Sequence, residues 1–247
     1  MGAGETAEMV VVGLTALFTS ALSAVAGLGG GVVLLGVLAQ FHAPATAIPI
    51  QGGIQIFSNS SRATFLRRSV DWSVVARASI LVLPASLAGV AVATSIPDRT
   101  SRAVLGLFVL LLAWRPSVLR WSGRGTLPKG AIVGIGAVSG FLNTTVGAAG
   151  PVTSPFLRAV TAGHVAFVAT AAATQVLAHA AKILAFGLDG FDYVGFWPVL
   201  AAGAAGVVVG SWSGSVLLGR MGERDLTRVF RWVLTVLSLR MLVSVVW

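Results

Sequence analysis

The chain reads as long apolar runs divided by short polar punctuation. No Asp, Glu, Lys or Arg occurs between Glu8 and Arg62, and further charge-free runs cover 78–97, 130–157, 159–181 and 193–219. A helix needs about 20 apolar residues to cross a hydrocarbon core, so each run is long enough for a crossing. None alternates polarity at strand length, and Ala, Leu, Val and Gly dominate, which favours helices over a barrel. The pattern predicts an apolar stretch at 9–42 followed by helices near 44–66, 73–96 and 103–120. A second stretch at 130–162 is followed by helices near 164–186, 194–218 and 226–246.

These elements form two matching sets. Gly27-Leu28-Gly29-Gly30-Gly31 returns as Gly147-Ala148-Ala149-Gly150-Pro151, Gln55 returns as Gln175, Arg62 as Lys182, and Asp71-Trp72 as Asp192-Tyr193. A first repeat at 1–121, a cytoplasmic linker at 122–129 and a second repeat at 130–247 then make up one membrane domain. Duplicated membrane units broken by glycine at the same place are the sequence form of a secondary transporter.

Composition fixes the solvent: 56% hydrophobic and 10% charged residues, with a mean hydropathy of +0.91, lie outside the soluble globular range. The expected class is an all-α integral membrane protein. The formal charge of +9 resides mostly in loops, so no nucleic-acid partner is expected. With no cysteine there can be no disulfide, thiolate metal site or cysteine nucleophile, and no cofactor or metal is expected. Ala24-Val25-Ala26 has the form of a signal cleavage site. However, the preceding residues carry Glu5 and Glu8 and no base, and the adjoining glycine cluster is repeated, so the segment is expected to belong to the fold.

Equivalent loops differ in charge. Arg67 and Arg68 follow the second element of the first repeat, whereas the matching loop at 187–192 holds Asp189 and Asp192 and no base. Basic short loops stay on the cytoplasmic side, so the repeats are expected to insert with inverted topology. That requires the first element of each repeat to be a Gly-broken helical hairpin, followed by three transmembrane helices. Gly29, Gly30, Gly31, Gly147 and Gly150 sit where those hairpins turn, since glycine runs break helices. The turns would aim helix N-termini at the membrane middle, which suits an anion. Close packing through small residues is the competing reading of the same glycines.

The second element of each repeat carries the polar chemistry. Gln51, Gln55, Ser58, Asn59 and Arg62 recur every three or four residues, and the matching face is Ala171, Gln175, Ala178, His179 and Lys182, with Thr174 beside it. Buried polar groups need partners, so the stripe either locks the bundle through interhelical hydrogen bonds or lines a solvated anion site. On the second reading Gln55 and Gln175 lie at the midplane as neutral donors, while Arg62 and Lys182 are charged approaches from opposite faces. Asn143, just before the second glycine cluster and matching Ser23, is expected to line the same cavity. His179 is the main titratable candidate. His42 and His164 are expected to be solvated or interfacial, and Asp71 and Asp192 to cap helices beside aromatic anchors. Ser139-Gly140 and Ser213-Gly214 lack nucleophile-elbow spacing, so no enzyme is expected.

On the first repeat's Ala26-Gly27-Leu28-Gly29-Gly30-Gly31 through Arg67-Arg68-Ser69-Val70-Asp71-Trp72, and its degraded copy at Gly147-Ala148-Ala149-Gly150-Pro151, the chain resembles the TauE/SafE sulfite exporter family over nearly its whole length. The resemblance implies movement of small sulfur-containing or organic anions, such as sulfite or sulfoacetate, across a bacterial cytoplasmic membrane. The expected partners are a small anionic substrate and the lipid bilayer, with a homodimer left open. An anion channel and an ion-coupled importer remain as alternatives to an exporter.

Overall fold

The computed structural model describes residues 2–26, 30–114, 128–217 and 223–246. Those residues are helical and contain no strand. The helices are α1 (Ala3–Ala26), α2 (Gly30–Phe41), α3 (Pro44–Phe65), α4 (Trp72–Ser79), α5 (Val82–Ser95), α6 (Asp98–Trp114), α7 (Lys129–Thr145), α8 (Gly150–Val160), α9 (His164–Leu188), α10 (Trp197–Leu217) and α11 (Glu223–Val246).

Helix ends follow local chemistry. Asp71 caps α4, accepting from the Ser73 and Val74 amides at 3.0 and 3.2 Å. The Ser73 hydroxyl also donates to it at 2.7 Å, and this bond holds the carboxyl pKa below its ordinary value. Asp192 makes the same bonds to the Val194 and Gly195 amides, but α10 starts only at Trp197, so Asp192 closes a turn rather than capping the helix. The exposed aromatic beside α10 is Trp197 rather than Tyr193, which packs on Phe191.

Three expected elements are divided. The stretch at 9–42 separates into α1 and α2, and the stretch at 130–162 breaks at 146–149 into α7 and α8. There Gly147 takes a φ of +72°, a conformation costly for other residues. The helix expected at 73–96 is two helices bent by 45°. Pro84 lies four residues after Ile80, so it removes the bond to the Ile80 carbonyl and crowds it, which breaks the helix there. Among the described residues α9, with 25 residues, is alone long and apolar enough to cross a membrane, and α4 with α5 forms a bent second. α6 covers the described part of the helix expected at 103–120, and residues 115–120, like most of the 122–129 linker, lie outside the described residues.

Packing is symmetric between the two halves. α1 lies along α10 and α7 along α4 and α5, so the first element of each half packs on the fourth of the other, while α3 pairs with α9 and α6 with α11. The equivalent helices run antiparallel. Near one end of α3, Gln51 meets Lys182 of α9, while near its other end Ala63 and Leu66 pack with Ala169 and Ala173. Likewise the Trp114 indole donates to Thr235 at 2.9 Å, while Gly106 abuts Leu242. The exchanged pairs run parallel and approach closely through small residues. Gly206 and Gly210 pack on the backbone of Gly13 and Leu17, and Gly136 and Gly140 on that of Ala78 and Val82.

The hairpins enter this bundle from opposite ends. Glu8 on α1 pairs with His42, just past α2, at 2.5 Å, which places both arms of the first hairpin beside the N-terminus of α3. Ile132 on α7 and Leu157 on α8 instead cluster with Phe167, near the N-terminus of α9. Because α3 and α9 are antiparallel, those locations are at opposite ends.

Candidate functional site

Between α3 and α9, where the two hairpin tips meet them, lies a cavity of about 60 Å³. That is room for a compact oxyanion or a few waters. Gln51, Gln55, Asn59 and Arg62 line it from α3, and Gln175 and His179 from α9. The tips contribute Gly31 at the first turn of α2, Asn143 at the end of α7, and Gly147 and Gly150. Ten of the fourteen residues singled out from the sequence therefore share one cavity.

The hydrogen bonds orient the amides. Gln51 accepts from Lys182 Nζ at 2.9 Å and donates to the Gly31 carbonyl at 3.2 Å. Asn59 accepts from Arg62 at 3.1 Å and donates to the Gln55 carbonyl at 2.9 Å. Asn143 Nδ2 donates to Gln175 Oε1 at 3.1 Å. Three amide oxygens are thus occupied by protein donors, while Gln175 Nε2 and the Gln55 amide have no protein partner among the described residues. No Asp or Glu is among the described residues lining the cavity, and Arg62 is. The first turns of α2 and α8 also face it, so their helix dipoles add positive potential, although the Gly30 amide is taken by Ser23 Oγ, Pro151 has no N–H, and the Val152 and Thr153 amides bond the Ala149 carbonyl. With Arg62, Gln175 Nε2 and the Gln55 amide, the space is positive in potential and offers side-chain donors.

Gly31 has a specific role in this arrangement. A Cβ there would sit 2.9 Å from Gln55 Nε2 and 3.1 Å from Gln51 Nε2, so only glycine lets both amides lie over the start of α2. Gly30 serves packing instead: its amide donates to Ser23 Oγ at 3.0 Å, it is absent from the cavity wall, and a side chain would strike α1.

Two further residues differ from expectation, one has a second role, and one lies outside the described residues. Thr174 bonds the Ala171 carbonyl at 2.9 Å and faces a separate small space with Ser139 and Thr153, because its helix position turns it away from α3. Asn143 reaches the cavity and donates one of its two N–H groups to Gln175, so it orients that residue as well as facing the space. Lys182 is not at an approach. It is fully buried, with Nζ 3.5 Å from the Ile48 and Gly147 carbonyls as well as bonded to Gln51, and it lies outside the cavity wall. Its level on α9 matches Gln51, well inside the bundle, so its chain cannot reach a surface. Gly29 is the residue that falls outside the described ones.

Arg62, partly exposed, donates to the Ser23 carbonyl at 3.3 Å, tying the first hairpin tip to α3. His179 is buried, and its Nδ1 has no partner among the described residues. His42 is paired with Glu8 rather than freely solvated, whereas His164 is exposed.

Sequence reasoning did not select as site residues the apolar part of the wall, which includes Val32, Ala148, Ala149, Pro151, Ala171 and Ala172, although it placed Ala148, Ala149 and Pro151 in the repeated cluster and Ala171 on the matching helix face, and it placed no weight on Ser23. Ser23 carried a usable signal as the repeat counterpart of Asn143. Ala171 and Ala172 offered none beyond their helix phase, since small apolar residues are everywhere in this chain.

The sulfite exporter TauE/SafE family matches residues 12–241, a span that includes every cavity residue named above. No curated protein and no solved structure matches the chain. A match over almost the entire length, joined to a helical bundle with two broken hairpins, means that this chain belongs to the TauE/SafE sulfite exporter family.

Proposed function

We propose that this protein is a secondary transporter, working as an exporter, that moves sulfite or similar small sulfur-containing or organic anions by alternating access around the cavity between α3 and α9. The observation that carries the reading is a wall that holds a cation and unspent amide donors but no carboxylate. The side-chain oxygens of Gln51, Asn59 and Gln175 are taken up internally, Gln175 Nε2, the Gln55 amide and Arg62 are left to the space, and no carboxylate lines it among the described residues. Such a wall favours an anion and repels a cation. Neutral donors also keep the site weak enough to release its occupant.

On this reading residues 1–121 and 130–247 are inverted repeats of a multi-pass protein in a bacterial cytoplasmic membrane, joined by 122–129. The antiparallel pairing of α3 with α9 and of α6 with α11 supports that reading, as do hairpins entering from opposite ends. A twofold axis in the membrane plane makes equivalent helices antiparallel, whereas one along the normal would leave them parallel. The short α2 and α8, with 12 and 11 residues, reach only about 18 Å each, roughly half the hydrocarbon thickness, so they suit re-entrant arms. Export needs no coupled ion, because the membrane potential drives an anion outward by about 2.3 kcal/mol per charge per 100 mV.

The test is counterflow in proteoliposomes with sulfite, sulfoacetate, taurine and simple carboxylates, comparing wild type with Gln55→Ala and Gln175→Ala. The expected result is saturable accumulation of one or more sulfur oxyanions by wild type and clear loss in both variants. Equal rates in all three proteins would refute the role of the amides, and flux that never saturates would point to a channel.

A further inference from the structure

Lys182 is a buried amine with no carboxylate partner among the described residues, and the donor set of the cavity does not use it. Its Nζ joins three elements: it extends from α9, bonds Gln51 Oε1 at 2.9 Å on α3, and approaches the Ile48 carbonyl of α3 and the Gly147 carbonyl at the tip of the α7–α8 hairpin, each at 3.5 Å. The tip is also wedged sterically, since a Cβ on Gly147 would lie 2.5 Å from Leu35 and 3.2 Å from Ile48. The α3 backbone is fitted to the lysine stem, because a Cβ on Gly52 would lie 2.5 Å from Lys182 Cδ. A charged amine that is desolvated and held by neutral oxygens is costly unless its position does something.

We infer that Lys182 is the bolt of a gate, fastening the tip of the second hairpin to α3 and closing the cavity toward the end of the bundle where α9 terminates. This positioning role deepens the transport reading and rests on it. The repeat supplies a counterpart. Arg62 reaches the Ser23 carbonyl near the end of α1, so α3 and α9 each hold the hairpin of their own repeat. The two bolts are unequal. Lys182 has an amide acceptor on the facing helix in Gln51, whereas the equivalent place for Arg62 is Ala171, and the amide acceptor of Arg62 is Asn59 on its own helix. Lys182 is fully buried, while Arg62 is partly exposed and lines the cavity. Movement of the carrier to its opposite orientation requires Lys182 to let go of Gly147.

The chain has no cysteine, so a single Ala148→Cys at the hairpin tip reports this gate without any background thiol. Its reaction with a membrane-impermeant methanethiosulfonate is followed in vesicles of both orientations, from the Leu188 end and from the Arg67 end. Adding Lys182→Met is expected to speed labelling from the Leu188 end by at least roughly tenfold, the low end of the range for losing a hydrogen bond to a charged group. Lys182→Arg should keep labelling slow, and Gln51→Ala should accelerate it from the same end even if Lys182→Met does not fold. An unchanged rate from the Leu188 end in a folded variant, or an equal rise from both ends, would overturn the gate. Wild-type counterflow is measured on the same preparations. A protein that moves no anion would sink the transport reading, whereas wild-type transport combined with unaltered labelling would sink the gate alone.

Discussion

The pair Asn143 and Gln175 allows the donor arrangement to be tested quantitatively. Gln175 Oε1 is held by Asn143 Nδ2 at 3.1 Å, which leaves Gln175 Nε2 free to donate into the cavity. Hydrogen bonds to charged groups are worth about 1.5–3 kcal/mol, so Gln175→Ala should weaken sulfite binding roughly 10- to 150-fold. Asn143→Ala leaves the Gln175 amide in place but free to turn its oxygen inward. That should cost on the order of 1 kcal/mol, or roughly fivefold. Because Asn143 acts through Gln175, the double variant should be little worse than Gln175→Ala alone, giving a coupling energy about equal to the Asn143→Ala loss, or about 1 kcal/mol. Half-saturation in counterflow and sulfite-dependent stabilisation of the detergent-solubilised protein both measure this. Additive losses, within about 0.3–0.5 kcal/mol, would mean that the two residues bind the anion independently and that the orientation argument is wrong.

Other parts of the account have their own tests. Gly206→Leu should destabilise the bundle by at least about 1–3 kcal/mol, because a side chain there would strike the Gly13 carbonyl where α10 meets α1, and should show as loss of monodisperse elution. Gly4→Ala, with open space around it, should be neutral by the same measure. Asp71→Ala should cost about 1 kcal/mol by removing the α4 cap. The folded pKa of Asp71 is depressed below the ordinary 3.8, so its stabilisation is present above that value and disappears as the pH falls through the folded pKa. Thermal melts of wild type and variant should therefore converge in acid and differ at neutral pH.

Much of the fold was legible because apolar runs and helix spans follow the same physics. The helices expected at 44–66 and 164–186 appear as α3 and α9 with nearly the same bounds, and the glycine cluster at 147–151 does break its stretch. The polar stripe was legible too, since spacing of three and four places Gln51, Gln55, Asn59 and Arg62 on one face whatever lies opposite. What could not be read was how far each element reaches. Pro84 was visible in the sequence, but whether a proline kinks or divides a helix depends on the packing around it. Lys182 was misplaced because repeat equivalence with Arg62 carries over chemistry, not depth: Arg62 lies near the end of α3, whereas a hairpin tip and Gln51 cover Lys182. Thr174 was drawn in by its neighbour Gln175, although one residue along a helix turns a side chain by about 100°.

The central claim is that two oppositely inserted repeats share one anion cavity, and sided labelling tests it most directly. Ser69 follows α3 and Asp189 follows α9, at equivalent places in the two halves. Single cysteines introduced at these positions in the otherwise cysteine-free chain should react with an impermeant thiol reagent from opposite faces of the membrane, with Ser69→Cys on the cytoplasmic side. Labelling of both from the same face would contradict the inverted arrangement and, with it, a cavity served from two sides.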